Sequence, residues 1–254
     1  MTPGRPVRVV CVGDSNTRGQ AAVDYVELLR RRFRSRPFEF VNRGVNFDLA
    51  ANVLARLDRV IADEPDIVTI LIGTNDANAT LSDENRRVIT MAKRPARLTI
   101  DGYREDLLGI VQRLKQHTRA RIGLLSLPAL GEEPDSPANR RAAEYSAVVE
   151  EVAAAAGAAY LPLHERQVAH LRSLPGPPGT AYRSGYFLAS TASLQHFLLR
   201  RSLDAIAARR GLSLTTDTLH QNSRGAGMIA DLIEEFADRT AGEVPPGEEF
   251  SDAE

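Results

Sequence analysis

The segment Val7-Arg8-Val9-Val10-Cys11-Val12 constrains the chain most. Five of its six residues are apolar, the mark of a strand covered on both faces. It stops at Gly13, and a hydroxyl follows at Ser15, within Gly13-Asp14-Ser15-Asn16-Thr17-Arg18-Gly19. Helical sequence begins soon after. Strand, turn and helix in that order set Ser15 at the carboxyl end of a strand, where open α/β sheets place their ligands.

The same pattern recurs along the chain. Phe38 to Asn42 alternates like a short strand and runs into Asn42-Arg43-Gly44. Asp66 to Ile72 is the clearest buried strand and ends at Gly73-Thr74-Asn75-Asp76. Arg121 to Leu127 is a fourth strand stopped by Pro128, and Ala158 to Leu163 a short fifth, in which Pro162 marks a sheet edge or a strand end. Helices are expected between them. One spans Gln20 to Phe33. A second is capped by Asp48 and places Leu49, Val53, Leu54, Leu57, Val60 and Ile61 on one face. A third is capped by Asp101, and others cover Arg140 to Ala156, Leu188 to Arg210 and about Arg224 to Ala237.

Residues 77–98 read as irregular, and 174–185 as a loop rich in proline and glycine. Alternating strands and helices predict one three-layer α/β/α domain over residues 1–240, flavodoxin-like, with a parallel sheet of about five strands. Strand order stays open. The stretches 77–98 and 174–210 are read as insertions, and the acidic 241–254, with two prolines, as a disordered tail.

A net charge of −1 gives no basic footprint for nucleic acid. The single cysteine, Cys11, excludes an internal disulfide and reads as a small buried hydrophobe in its strand. Met1 to Pro6 lacks an apolar signal region, and no run of residues is long enough to span a bilayer. A cytoplasmic protein is expected.

In a parallel sheet, turns after different strands meet along one edge. Ser15, Gly44 and Asn75 follow the first three strands, and Asp217-Thr218-Leu219-His220 precedes the last helix. Each type has a use. A serine hydroxyl needs a base to become a nucleophile. Histidine is the usual base near neutrality, and a carboxylate orients it. Backbone N–H groups and a side-chain amide can stabilise an oxyanion.

Taken together these blocks resemble the SGNH (GDSL) hydrolases. Gly13-Asp14-Ser15, extended through Thr17 and Gly19, is similar to that family's first block. Gly44 is similar to the second-block glycine, Gly73-Thr74-Asn75-Asp76 to the third block, and Asp217-Thr218-Leu219-His220 to the fifth. The resemblance implies the SGNH hydrolase fold, Ser15 as nucleophile, His220 as base and Asp217 as its orienting acid. It also implies an oxyanion hole from the Ser15 and Gly44 N–H groups and the Asn75 amide. No cofactor or metal is implied, and the partner is a small-molecule ester.

The other histidines serve as a control. His117 ends a helix, His196 lies on one, and His164 and His170 flank Glu165 without a second carboxylate or cysteine at ligand spacing. Only His220 has an aspartate three residues earlier in a loop before a helix. The reading is therefore a serine esterase acting through an acyl-enzyme. A thioesterase, lysophospholipase, carbohydrate deacetylase or acyltransferase would use the same residues. A non-catalytic binding module would be expected to have lost the serine or the histidine. The arginine-rich stretch Arg86, Arg87, Lys93, Arg94 and Arg97 reads as a solvated surface, with an anion-attracting lid as its rival.

Overall fold

The computed structural model describes residues 5–241. Its first half runs β1 (Val7–Gly13), α1 (Ser15–Arg18), α2 (Tyr25–Arg32), β2 (Phe38–Gly44), α3 (Ala50–Ala55), α4 (Asp58–Ile61), β3 (Ile67–Leu71), α5 (Thr74–Ala79), α6 (Asp83–Lys93) and α7 (Ile100–His117). Then follow β4 (Arg121–Leu125), α8 (Pro137–Ala156), β5 (Ala159–Leu161), α9 (Leu163–Arg172), α10 (Phe187–Phe197), α11 (Leu203–Arg209) and α12 (Ser223–Ala241).

All five strands are parallel, in the order β2-β1-β3-β4-β5. This is the flavodoxin-like order, whose switch point falls between β1 and β3. Side chains alternate across β1 as the pleat requires. Val10 and Val12 join a core with Val53, Leu107, Ile110 and Val149, beneath α3, α7 and α8. Val9 and Cys11 join the opposite core with Tyr25, Leu29, Ile229 and Ile233, beneath α2 and α12. The three-layer α/β/α fold is as expected, and burial pushes the Cys11 thiol up to about 12, leaving it an inert packing group.

Several local expectations are corrected. The first long helix starts only at Tyr25, because Asp24 turns its carboxylate onto Val26 N and Glu27 N and caps there. Asp48 is not a cap. Leu49 holds that position, while Asp48 is buried and paired with Arg56 Nε and Lys93 Nζ, each at 2.7 Å. Arg56 also donates to the carbonyls of Gly13 and Arg43, and the single helix expected there splits at this residue into α3 and α4.

The stretch 77–98 is not irregular. Ser82 caps α6 through Asn85 N at 3.1 Å. Thr99, two residues before Asp101, caps α7 in its place. The expected helix over 188–210 is two, broken where Arg200 takes a left-handed φ of 52°. Of the acidic stretch 241–254, residues 242–254 lie outside the described residues.

Candidate active site

Ser15 is the first residue of α1, immediately beyond β1 and Asp14. The Asp14 carboxylate caps this short helix, accepting from Asn16 N at 2.9 Å. From the other end of the chain, Asp217 folds its own loop. Its Oδ1 accepts from Leu219 N at 3.1 Å and His220 N at 2.8 Å, around a Thr218 with φ of 73°. Its Oδ2 lies 2.7 Å from His220 Nδ1. His220 Nε2 lies 2.9 Å from Ser15 Oγ. A carboxylate can only accept, so Nδ1 carries the proton and Nε2 faces the hydroxyl as an acceptor.

Two buried polar side chains lock this geometry. Asn16 accepts from Gln221 N at 3.0 Å and donates to Leu219 O at 3.4 Å, joining the serine turn to the histidine loop. Glu132, also buried, accepts from Ser213 N, Leu214 N, Thr215 N and Thr215 Oγ1 at 2.6 to 2.8 Å. It thereby holds the strand-like lead into Asp217. Neither role is legible in the sequence. Asn16 sits inside the first block, but its partner is a tertiary neighbour, and Glu132 lies in a polar loop with no motif.

The electrostatics follow from the pairing. Burial alone would pull the His220 imidazole down. The Asp217 carboxylate, by charge and by hydrogen bond, outweighs that and leaves it raised, with a further push from Asp14. Burial likewise works to raise Asp217, and the contacts with His220 reverse it, so this acid is lowered and stays ionised. Asp14 is raised to about 6 by burial.

Asn75 lies in the first turn of α5. The turn before it needs glycine: Gly73 has φ of 121°, and a Cβ there would sit 2.7 Å from Tyr103 Oη. Asn75 Nδ2 donates one hydrogen to Asp48 O at 3.1 Å, and its second remains for another acceptor. Asp76, the next residue, is buried against Ala50 N, and burial pushes it up to about 8.

Gly44, expected to offer its N–H to an oxyanion, has that N–H engaged at the end of its own strand. It ends β2 opposite Gly13, and its N–H donates to Asn42 Oδ1 at 2.9 Å. A Cβ there would lie 2.2 Å from Arg18 N, so this glycine lets α1 lie against β2. The loop residues beyond it, Asn46 and Phe47, face the site instead. Phe47 holds φ of 64°, a costly conformation for an aromatic residue, and among the described residues no acceptor receives its N–H.

Ser15, Asn75 and His220 line a cavity of about 290 Å³, with Asn46, Phe47 and Leu219. One wall is Tyr186 together with Ala189, Ser190, Ser193 and Phe197 of α10, so the stretch 174–210 does cover the site. None of the arginine-rich residues 86–97 lines it. Lys93 is tied to Asp48, and Arg97 to Glu105 at 2.6 Å. A larger open groove of about 860 Å³, between 132–137 and 171–178, lacks the serine and the paired histidine and is a surface trough. Among the described residues no cluster of three or more His, Cys, Asp or Glu could hold a metal, and no helix is long and apolar enough to cross a membrane.

A parallel sheet in flavodoxin order, with serine, histidine and aspartate hydrogen-bonded in series beyond its strands, is the architecture of an SGNH hydrolase. The chain belongs to the GDSL-like Lipase/Acylhydrolase family, whose model matches residues 11–187, and it is an ester hydrolase. The matched span holds Ser15 and Asn75 and ends before Asp217 and His220.

Solved structures share the fold. The acetylxylan esterase Axe2 from Geobacillus stearothermophilus aligns at 19% identity with a TM-score of 0.63, over 92% of this chain and 95% of its own. The acetyl xylan esterase AlAXEase aligns at 15% and 0.62, over 91% and 99%. LAE5, an alpha/beta hydrolase enzyme from the metagenome of Lake Arreo, Spain, aligns at 18% and 0.66, over 96% and 99%. No curated protein sequence matches the chain.

Proposed function

We propose that the chain hydrolyses carboxylic esters through an acyl-enzyme on Ser15. The observation that carries this is the continuous path from Ser15 Oγ through the His220 ring to Asp217 Oδ2, in steps of 2.9 and 2.7 Å. Ser15 Oγ attacks the ester carbonyl carbon as its proton passes to His220 Nε2. Asp217 stabilises the imidazolium that forms. The tetrahedral oxyanion is met by the Ser15 N–H and the spare Asn75 hydrogen. The Phe47 N–H replaces Gly44 as the third donor in this reading, because the Gly44 N–H is taken by Asn42.

Collapse expels the alcohol, which takes the proton back from His220. Water then attacks the acyl-Ser15 carbonyl, again giving its proton to His220. The second collapse returns that proton to Ser15 Oγ and releases the carboxylic acid.

An organophosphonate should label Ser15 and no other serine. Ser15→Ala should lower p-nitrophenyl ester turnover by about 10⁴-fold or more while the melting temperature is retained. Full labelling of the Ser15→Ala protein would overturn the assignment.

A further inference from the structure

The helix that roofs the cavity is apolar on its solvent side. Of α10, only Ala189 and Ala192 are buried. Phe187, Leu194 and Phe197 are 72%, 57% and 62% exposed, and Leu198 and Leu199 continue the patch at 71% and 56%. A helix solvated on one side normally presents polar residues there. A contiguous exposed apolar patch marks a binding surface. This one is continuous with the active site, since Phe197 lines the cavity as well as facing out. Phe47, itself partly exposed, lines the same cavity and lies 5.6 Å from the Tyr186 ring just ahead of α10.

Within residues 183–210 the charge is mostly of one sign, while Glu84 of α6 reaches this segment at Gly185. Asp204 is the only acid between residues 183 and 210, and it is held by Ser223 N and Oγ at 2.9 and 2.6 Å. The same stretch carries five arginines. Arg210 is spent on the Leu188 and Thr216 carbonyls, and Arg201 on Gln195. Arg183, Arg200 and Arg209 are exposed and meet no carboxylate among the described residues. Arg200 directly follows Leu198-Leu199, so a free cation borders the apolar residues.

We propose that α10 and the turn after it dock on an anionic lipid surface, and that the substrate is an amphiphilic ester drawn from that surface, its acyl chain entering past Phe47 and Phe197. The proposal rests on the reading of Ser15 as nucleophile. Leucine and phenylalanine flanked by arginine suit the boundary between acyl chains and anionic headgroups. A second copy of this chain suits the patch less. A two-fold contact brings this face against itself, and so sets one arginine-bearing rim against another. A small soluble ester needs the cavity only, and leaves Leu194, Leu198 and Leu199 without a role.

The test uses flotation of the whole chain with phosphatidylcholine vesicles, with and without phosphatidylglycerol. Binding is expected to the anionic vesicles and to weaken with added salt. Replacing Arg183, Arg200 and Arg209 with glutamine should weaken it about fivefold per residue. The triple variant Leu194→Ser, Leu198→Ser, Leu199→Ser should weaken it by about tenfold or more. Both variants should keep p-nitrophenyl acetate turnover, which also reports that they fold, and should lose hydrolysis of a long-chain ester embedded in the vesicles. Ser15→Ala should bind vesicles as the wild type does. Vesicle binding without turnover of any ester would refute the catalytic reading and leave docking intact. The docking proposal fails if anionic vesicles are not preferred. It also fails if the leucine variant binds as wild type, or if that variant only converts a dimer to a monomer.

Discussion

Asn16 Oδ1 accepts the backbone N–H of Gln221 at 3.0 Å, across 205 residues of sequence. The residue before Asn16 is Ser15 and the residue before Gln221 is His220, so this bond sets the serine-to-histidine distance from outside that pair. Asn16 is buried, and among the described residues its amide is satisfied only by the histidine loop.

Asn16→Ala should therefore act on chemistry more than on substrate binding. A misplacement on the order of 1 Å costs about 10²-fold in such sites, and kcat is expected to fall by that order with KM nearly unchanged. Steady-state kinetics on p-nitrophenyl acetate checks it. Unchanged kcat in a folded variant would show that other contacts fix the distance.

The pH profile follows from the direction of the His220 shift. In the proposed mechanism His220 must be neutral to accept the Ser15 proton, so kcat/KM should rise with pH through the histidine titration. Asp217 raises His220 against the pull of burial, so the acid limb should have its midpoint above the ordinary histidine value of 6.5. Asp217→Asn removes the charge and leaves burial. The midpoint should then move to lower pH while kcat falls by roughly 10³–10⁴. A rate profile across the range for both proteins decides this.

Asn75 has one hydrogen on the Asp48 carbonyl and one to spare. Its spare donor matters most once the carbonyl oxygen has become an oxyanion. Asn75→Ala should lower kcat by about 10²–10³ with little change in KM. If Asn75 served only the turn, the variant would instead lose about 1 kcal/mol of stability and keep its kcat. Kinetics and a melting curve on the one variant separate the two.

Asp76 predicts a pH dependence of stability with the opposite sense to acid denaturation. Burial raises it from 3.8 to about 8, so the folded chain holds this proton after the unfolded chain has lost it. Stability from this group is fully present at low pH and falls as pH rises between those values, by up to about 1.4 kcal/mol per unit. Asp76→Asn keeps an acceptor for Ala50 N and removes the titration. Urea unfolding at about pH 5 and about pH 8 should show a flatter dependence in the variant than in the wild type.

The sequence by itself determined what depends on neighbours along the chain. The apolar runs of β1 and β3 are legible because both faces of a central parallel strand are buried. Ser15, Asn75 and the Asp217–His220 pair are legible because each sits in a turn whose local chemistry is written in consecutive residues. The Asp217 carboxylate, for example, bonds to backbone only two and three residues away.

Tertiary structure decided the rest. Strand order was closed by the packing of β3 beside β1. Asp48 reads as a helix cap in sequence, but the buried site finds Arg56 and Lys93 for it, and two ion pairs outcompete one capping bond. Gly44 follows a strand as the oxyanion glycine should, yet its N–H turns to Asn42 and its missing Cβ admits α1. Which N–H groups face Ser15 depends on how a loop passes the end of α1, and that path is set by contacts between residues far apart in the chain. No local pattern in the sequence encodes it.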